Sequence, residues 1–170
     1  MNDATRSVWT LPGNRVKNGV TNLVPLSTQA LRVIEKQRAT LDFQNEKREA
    51  RGKKAIKSAF LFPSRHVLKE KSMTVYALDQ EAQRISNELN LSRFTPHDLR
   101  RTCATKLGQM QVPGHIIARV LNHKQTDITT AVCNQYEYLK EKKEALDKLG
   151  CWIVKLASGL ELVHVPSTEA

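Results

Sequence analysis

Hydrophobic and polar positions change period along this chain. Ser7-Val-Trp-Thr-Leu11 reads as a short strand, Pro12-Gly13-Asn14 supplies turn chemistry, and Thr21–Pro25 returns as a second strand. Between them, Lys17-Asn18-Gly19 is a hairpin-turn signal, because Asn-Gly tolerates positive φ at both central positions. Ser27 is a good N-cap, and Ala30, Leu31 and Ile34 form an apolar stripe behind it, so a helix follows. A basic stretch over 45–57, centred on Gly52, predicts a helix end and an exposed loop. Phe60-Leu-Phe-Pro63 predicts a short buried strand stopped by proline.

Downstream the period is helical almost throughout. Leu78, Ala82, Ile85 and Leu89 place a helix over about 72–90. Thr95-Pro96-His97-Asp98 opens another: threonine caps, proline takes the first position, and Asp98 closes a capping-box-like arrangement. Gln111-Val-Pro-Gly114 breaks that helix. Ile116, Ile117, Val120 and Leu121 mark a short one ending at Asn122-His123. A long final helix from about Tyr138 carries Leu146, Leu149, Ile153 and Leu156, and Leu160–Val165 alternates like a strand. The predicted fold is α+β and mainly helical, with a small antiparallel β meander packed on a helical body. The expected divisions are a hairpin region over 1–26, a helical body over 27–158 and a tail over 159–170.

Composition narrows the class. With 170 residues, 40% of them hydrophobic, the chain suffices for one compact domain or part of a larger one. No apolar run approaches the roughly 18–20 residues a membrane span needs, and Met1–Arg6 lacks the apolar stretch of a secretory signal. Cys103, Cys133 and Cys151 are too scattered for a disulfide framework or a paired-cysteine zinc site, which fits a reducing cytoplasm. Charge adds more: Lys and Arg number 27 against 17 Asp and Glu, a net +10. So basic a chain gathers a polyanion's field and releases its counterions, which points to nucleic acid.

His97 and Arg100 stand three apart at a helix start, so both side chains share a face. A guanidinium fork, an imidazole and the helix's first N–H groups together suit a phosphate. An isolated His-x-x-Arg is more often just a capped helix with a surface arginine, and the surrounding residues change that balance. Phe94-Thr-Pro-His-Asp-Leu-Arg-Arg-Thr-Cys-Ala-Thr105 is followed by Leu121-Asn-His123, with His123 lying 23 residues after Arg100. Ala131-Val-Cys-Asn-Gln-Tyr-Glu-Tyr-Leu-Lys-Glu-Lys142 comes next. With Trp9-Thr-Leu-Pro12, Val24-Pro-Leu-Ser27 and Phe60-Leu-Phe-Pro-Ser64, the chain resembles the catalytic domain of tyrosine recombinases, specifically the integrases of prophages and genomic islands, from about Val8 to Leu156.

The resemblance implies roles for single residues. His97 and Arg100 match the histidine and second arginine that contact the scissile phosphate, and His123 matches the later histidine that hydrogen-bonds a non-bridging oxygen. Lys17 lies where the family has the hairpin lysine that protonates the departing 5′-hydroxyl, and Arg15 competes with it for that role. Arg15, Arg101 and Lys124 are expected DNA-backbone contacts. Preplaced cations and donors stabilise a charge-rich phosphoryl transition state without a metal, and a leaving alkoxide needs a positioned acid. No metal site and no cofactor are expected; His66, His115 and His164 have no ligand-like spacing.

Two departures stand out. Cys133, ten residues after His123, occupies the position of the family's nucleophilic tyrosine, which forms a 3′-phosphotyrosine. Loss of activity is the first expectation, since a cysteine sulfur falls several ångströms short of the phosphorus. Attack by the Cys133 thiolate, or takeover by Tyr136 through a local shift, are the alternatives. The second departure is the family's first arginine, for which Arg6 lies too close to Lys17. The expected function is therefore a C-terminal catalytic fragment of a site-specific DNA integrase, inactive as it stands, or else a non-catalytic DNA-binding module derived from one. The partners implied are double-stranded DNA attachment sites and further protomers in a tetrameric synapse. No membrane partner is expected; a bacterial, nucleoid-associated location is. The segment Leu160–Val165 is expected to dock on a neighbouring protomer.

Overall fold

The structure, a computed structural model, describes residues 7–56, 58–64, 71–123 and 136–159. It has the mainly helical α+β architecture that the residue pattern predicts. Strands β1 (Val8–Leu11) and β2 (Asn22–Pro25) pair antiparallel, with Val8 opposite Pro25 and Leu11 opposite Asn22. The helices are α1 (Thr28–Glu49), α2 (Val75–Glu88), α3 (Pro96–Gln109), α4 (Gly114–Val120) and α5 (Leu139–Ala157). No helix among the described residues is long and apolar enough to cross a membrane.

Side chains cap the starts of α1, α2 and α3, two of them at the predicted Ser27 and Thr95. Ser27 Oγ accepts the Ala30 N–H, and Thr74 Oγ1 accepts that of Ala77 at the head of α2. At α3 the capping box closes both ways: Asp98 N–H donates to Thr95 Oγ1 at 3.3 Å, and the Asp98 carboxylate accepts from the Thr95 N–H at 3.0 Å. Helix ends are alike as well. Gly52, Asn90, Gln111 and Asn122 each take a positive φ, and the next residue's N–H returns to a carbonyl of the last turn.

The chain separates into two units, dividing within α1 after Leu31 and within α3 after Thr102. The first joins the N-terminal strands to the end of α3, α4 and α5. Leu107, Val112, Ile116, Ala145 and Leu149 form its buried core, with Cys103, Met110, Ile117, Val120, Tyr138 and Trp152 packed around them. Lys142 on α5 is buried, and its ammonium donates to the Leu23 carbonyl and to Asn22 Oδ1 on β2. Burial outweighs the nearby Glu137 charge and holds its pKa below the usual lysine value.

The second unit, 32–102, holds most of α1, α2 and the first turns of α3. Among its described residues the buried side chains are Ala82 and Ser86, whose hydroxyl donates to the Ala82 carbonyl. Gln37 Nε2 donates to the Leu61 carbonyl, tying the 60–64 segment to α1.

Two local expectations are corrected. Only Gly19 of the Asn18-Gly19 pair takes a positive φ, +72°, and the strands are joined by residues 12–21 rather than a tight two-residue hairpin. A 3-10 turn at Gly13–Arg15 fills that connection, and its Gly13 sits where a Cβ would lie 2.3 Å from the Gly19 carbonyl oxygen. Phe60–Pro63 is not a buried strand. Among the described residues its ladder is one bridge, Pro63 to Ser72, in which Ser64 N–H donates to the Lys71 carbonyl and Met73 N–H to the Phe62 carbonyl; Phe62 stands exposed. On α2, the predicted stripe is covered in its middle, where Ala82 is buried and Ile85 half-buried, and exposed towards the two ends, at Leu78 and Leu89. The tail over 160–165 lies outside the described residues.

Candidate functional site

Lys17 lies exposed in the β1–β2 connection, beyond the 3-10 turn that carries Arg15. The connection is fixed from within. Arg15 N–H donates to the Pro12 carbonyl at 2.9 Å, Gly13 N–H to Thr21 Oγ1 at 3.2 Å, and Gly19 N–H to the Val16 carbonyl at 3.1 Å. Asn18 Oδ1 accepts the Val20 N–H at 3.2 Å, an Asx turn around the tip.

The same Asn18 reaches across the first unit. Its Nδ2 donates to Asn122 Oδ1 at 3.1 Å, a partly buried bond spanning 104 residues of sequence. Asn122 has φ +53° at the end of α4, and the next residue, His123, returns its N–H to the Ala118 carbonyl at 2.8 Å. The helix end is thus capped by the His123 backbone. One side-chain bond therefore holds the loop of Lys17 against the turn that presents His123. Neither asparagine stands out by chemistry, although Asn at a helix end is a readable sign of a left-handed residue.

In the second unit, His97 and Arg100 stand exposed one turn apart on α3, immediately behind its capping box. Asp98 lies between them. Hydrogen bonds from the Thr95 hydroxyl and then the Thr95 N–H hold its carboxyl below the usual range, with Arg101 and His97 adding in the same direction. Arg101 approaches Asp98 at 3.9 Å, a loose exposed pair. An ionised Asp98 caps the helix and balances part of the charge of Arg101.

Cys133 and Lys124 lie outside the described residues, as do His66 and His164. The two neighbouring tyrosines are described. Tyr136 is 54% exposed and precedes α5; its hydroxyl donates to Glu141 Oε2 at 3.3 Å. Partial desolvation and then the Glu141 carboxylate raise its pKa above the ordinary phenol value, which opposes phenolate formation. Tyr138, with φ +54°, packs against the core. Its ring lies 4.2 Å under the Arg119 guanidinium and meets His115 and Tyr136 edge-on. Arg119 Nε and a terminal nitrogen are buried without a hydrogen-bond partner among the described residues. Burial also pushes up the Cys103 thiol beside the core. Among the described residues, no three His, Cys, Asp or Glu side chains gather to hold a metal ion.

The net charge of +10 and the exposed His97 and Arg100 behind the α3 cap suit contact with a polyanion. The Phage integrase family model matches residues 1–139, and the chain belongs to that family. It is thus a domain of the site-specific recombinase type, with DNA as its substrate class. No match was found among curated proteins or among solved structures.

Proposed function

We propose that this chain is the catalytic part of a tyrosine-recombinase integrase in which most phosphate-handling groups are in place, while no residue fills the place of the family's first arginine and Cys133 stands in that of its nucleophile. The observation that carries the reading is His97 and Arg100, exposed one turn apart behind a closed capping box, in a chain that matches the integrase family over 1–139. In this reading both groups bind the scissile phosphate and His123 donates to a non-bridging oxygen. Lys17 gives its proton to the 5′-oxygen as the phosphorus–oxygen bond breaks. Arg15, Arg101 and Lys124 hold the neighbouring backbone. In an active relative, a tyrosine oxygen would form the new bond to phosphorus, conserving the energy of the old one. Residues 1–26 supply the hairpin, 27–158 the helical body, and 159–170 a tail for docking in a synapse of several protomers.

Cys133 holds the nucleophile position, and Tyr136 is a poor replacement. Its hydroxyl donates to the Glu141 carboxylate, and its pKa lies above the ordinary phenol value rather than below it. That observation also favours the second reading, a DNA-binding module of integrase descent that occupies sites without cutting them.

Covalent capture on a nicked attachment-site duplex separates the readings. The chain as it stands should form no denaturation-resistant adduct, Cys133→Tyr should form one, and Tyr136→Phe should leave that adduct unchanged. Capture by the unaltered chain, abolished by Tyr136→Phe, would move the nucleophile to Tyr136. Failure of Cys133→Tyr to capture DNA that it binds would favour the non-catalytic module.

A further inference from the structure

The basic segment after α1 is not used by any of the groups above, yet it is a built feature of the second unit. From Gln44 to Lys57 the sequence carries six cations against Glu46 and Glu49, a net +4 of the chain's +10. Gly52 N–H donates to the Glu49 carbonyl and Lys53 N–H to that of Arg48, which turns the chain at the helix end. Asn45 then clamps it: its Oδ1 accepts the Ile56 N–H at 2.7 Å and its Nδ2 donates to the Ile56 carbonyl at 3.3 Å. Arg48 Nε donates to the Lys54 carbonyl at 3.0 Å. Between helix and returning chain lies a cleft of about 280 Å³ lined by Gln44, Lys47, Arg48, Arg51, Lys53 and Ile56.

Four cations therefore line one cleft, and no carboxylate does. Several exposed cations elsewhere among the described residues have carboxylate partners: Arg84 with Glu81 and Glu88, Arg93 with Asp79, Arg101 with Asp98 and Lys143 with Asp147. The helix macrodipole accounts for Lys47 and Arg48 in the last turn. It does not account for Arg51 and Lys53, which lie beyond the helix and raise the mutual repulsion. An anion in the cleft removes that repulsion, and Lys47 is already steered, its ammonium 4.4 Å from the Phe43 ring centroid.

We propose that this cleft is a second, sequence-independent DNA contact, taking the backbone phosphates of a duplex away from the scissile one. The proposal rests on the integrase reading above. No base-reading geometry is needed: the cleft offers guanidinium and ammonium donors over aliphatic stems, which position a backbone without reporting sequence.

The test is the salt dependence of binding to an unrelated-sequence duplex by the full 170-residue chain. Each phosphate contact contributes about 0.9 to the slope of log affinity against log salt concentration. Arg51→Ala with Lys53→Ala should lower the slope by about 2 and weaken binding about tenfold or more at low salt. The control pair Lys148→Ala with Lys155→Ala removes equal charge from exposed positions on α5 and should change the slope by much less. In the unaltered protein, bound duplex should also protect Lys47 and Lys53 from acylation, a readout independent of how the variants fold. Equal slope changes in both pairs, or Lys47 and Lys53 acylated as fast with DNA as without, would overturn the proposal while leaving the integrase reading intact. Absence of any duplex binding by the unaltered chain would overturn both. Equal binding of single-stranded RNA with the same protection would reassign the cleft to that partner and overturn the duplex claim.

Discussion

Asn122 does two things with one short side chain. It accepts a left-handed backbone, which a β-branched residue would resist, and its Oδ1 holds Asn18 at the tip of the β1–β2 connection. Glycine would satisfy the first demand and forfeit the second. Asn122→Gly should therefore keep the end of α4 yet cost about 0.5–1.5 kcal/mol, the usual worth of one hydrogen bond. Asn18→Ala should cost more, because it also loses the bond from the Val20 N–H, and the double variant should cost less than the two together, since the Asn18–Asn122 bond is counted in both. Urea denaturation of the four proteins measures this, and strict additivity would mean the bond contributes nothing. His123 and Lys17 are the residues whose placement depends on it.

At the scale of the element, the start of α3 is the most completely specified piece of the chain. Threonine, proline and aspartate each fill the position that the backbone's orphan N–H groups require. Because Asp98 is held below its ordinary value of 3.8, its ionised form stabilises the folded helix start at neutral pH. That contribution is fully present above 3.8 and fades as pH falls through the lowered folded value. Amide exchange at Asp98 and Leu99, corrected for its intrinsic rate, should show protection falling over that acid window. Asp98→Asn should flatten the dependence; an unchanged pH profile in that variant would remove Asp98 from the account. The ends of the helices are as economical, since four of them use one left-handed residue followed by a return N–H bond. Such an end reverses the chain within a few residues, and at α1 it builds the basic cleft.

At the scale of the whole molecule, apolar burial is uneven. The first unit gathers Leu107, Val112, Ile116, Ala145 and Leu149, and Leu107 has no exposed surface. Leu107→Ala should cost about 2–5 kcal/mol, because it removes a fully enclosed side chain and leaves a cavity. Leu78→Ala, at a position 46% exposed on α2, should change stability by about 0.5 kcal/mol. Chemical denaturation of both variants checks the contrast, and comparable losses would mean the core is misplaced. Net charge acts at this scale too: +10 over 170 residues favours any polyanion, so specificity has to come from where the cations stand.

The elements themselves were legible from residue chemistry. The α3 cap, the helix break at 111–114 and the close of α4 at Asn122-His123 follow from side chains that satisfy or terminate a local backbone. The family was legible as well: the motifs around His97, Arg100 and His123 suggested it, and the family model matches residues 1–139. Three-dimensional packing decided the rest. Phe60–Pro63 reads as a strand, but a strand needs a partner ladder, and only Pro63 and Ser72 bridge. Leu78, Ala82, Ile85 and Leu89 share one helix face, yet spacing cannot say how far a neighbour covers it: Ala82 is buried and Ile85 half-buried, while Leu78 and Leu89 towards the ends are exposed. Lys142 reads as a surface lysine until α5 lies against β2 and gives its ammonium the Leu23 carbonyl. Local chemistry determines where backbone structure starts and stops; contacts across 104 residues, such as Asn18 with Asn122, exist only once the chain has closed on itself.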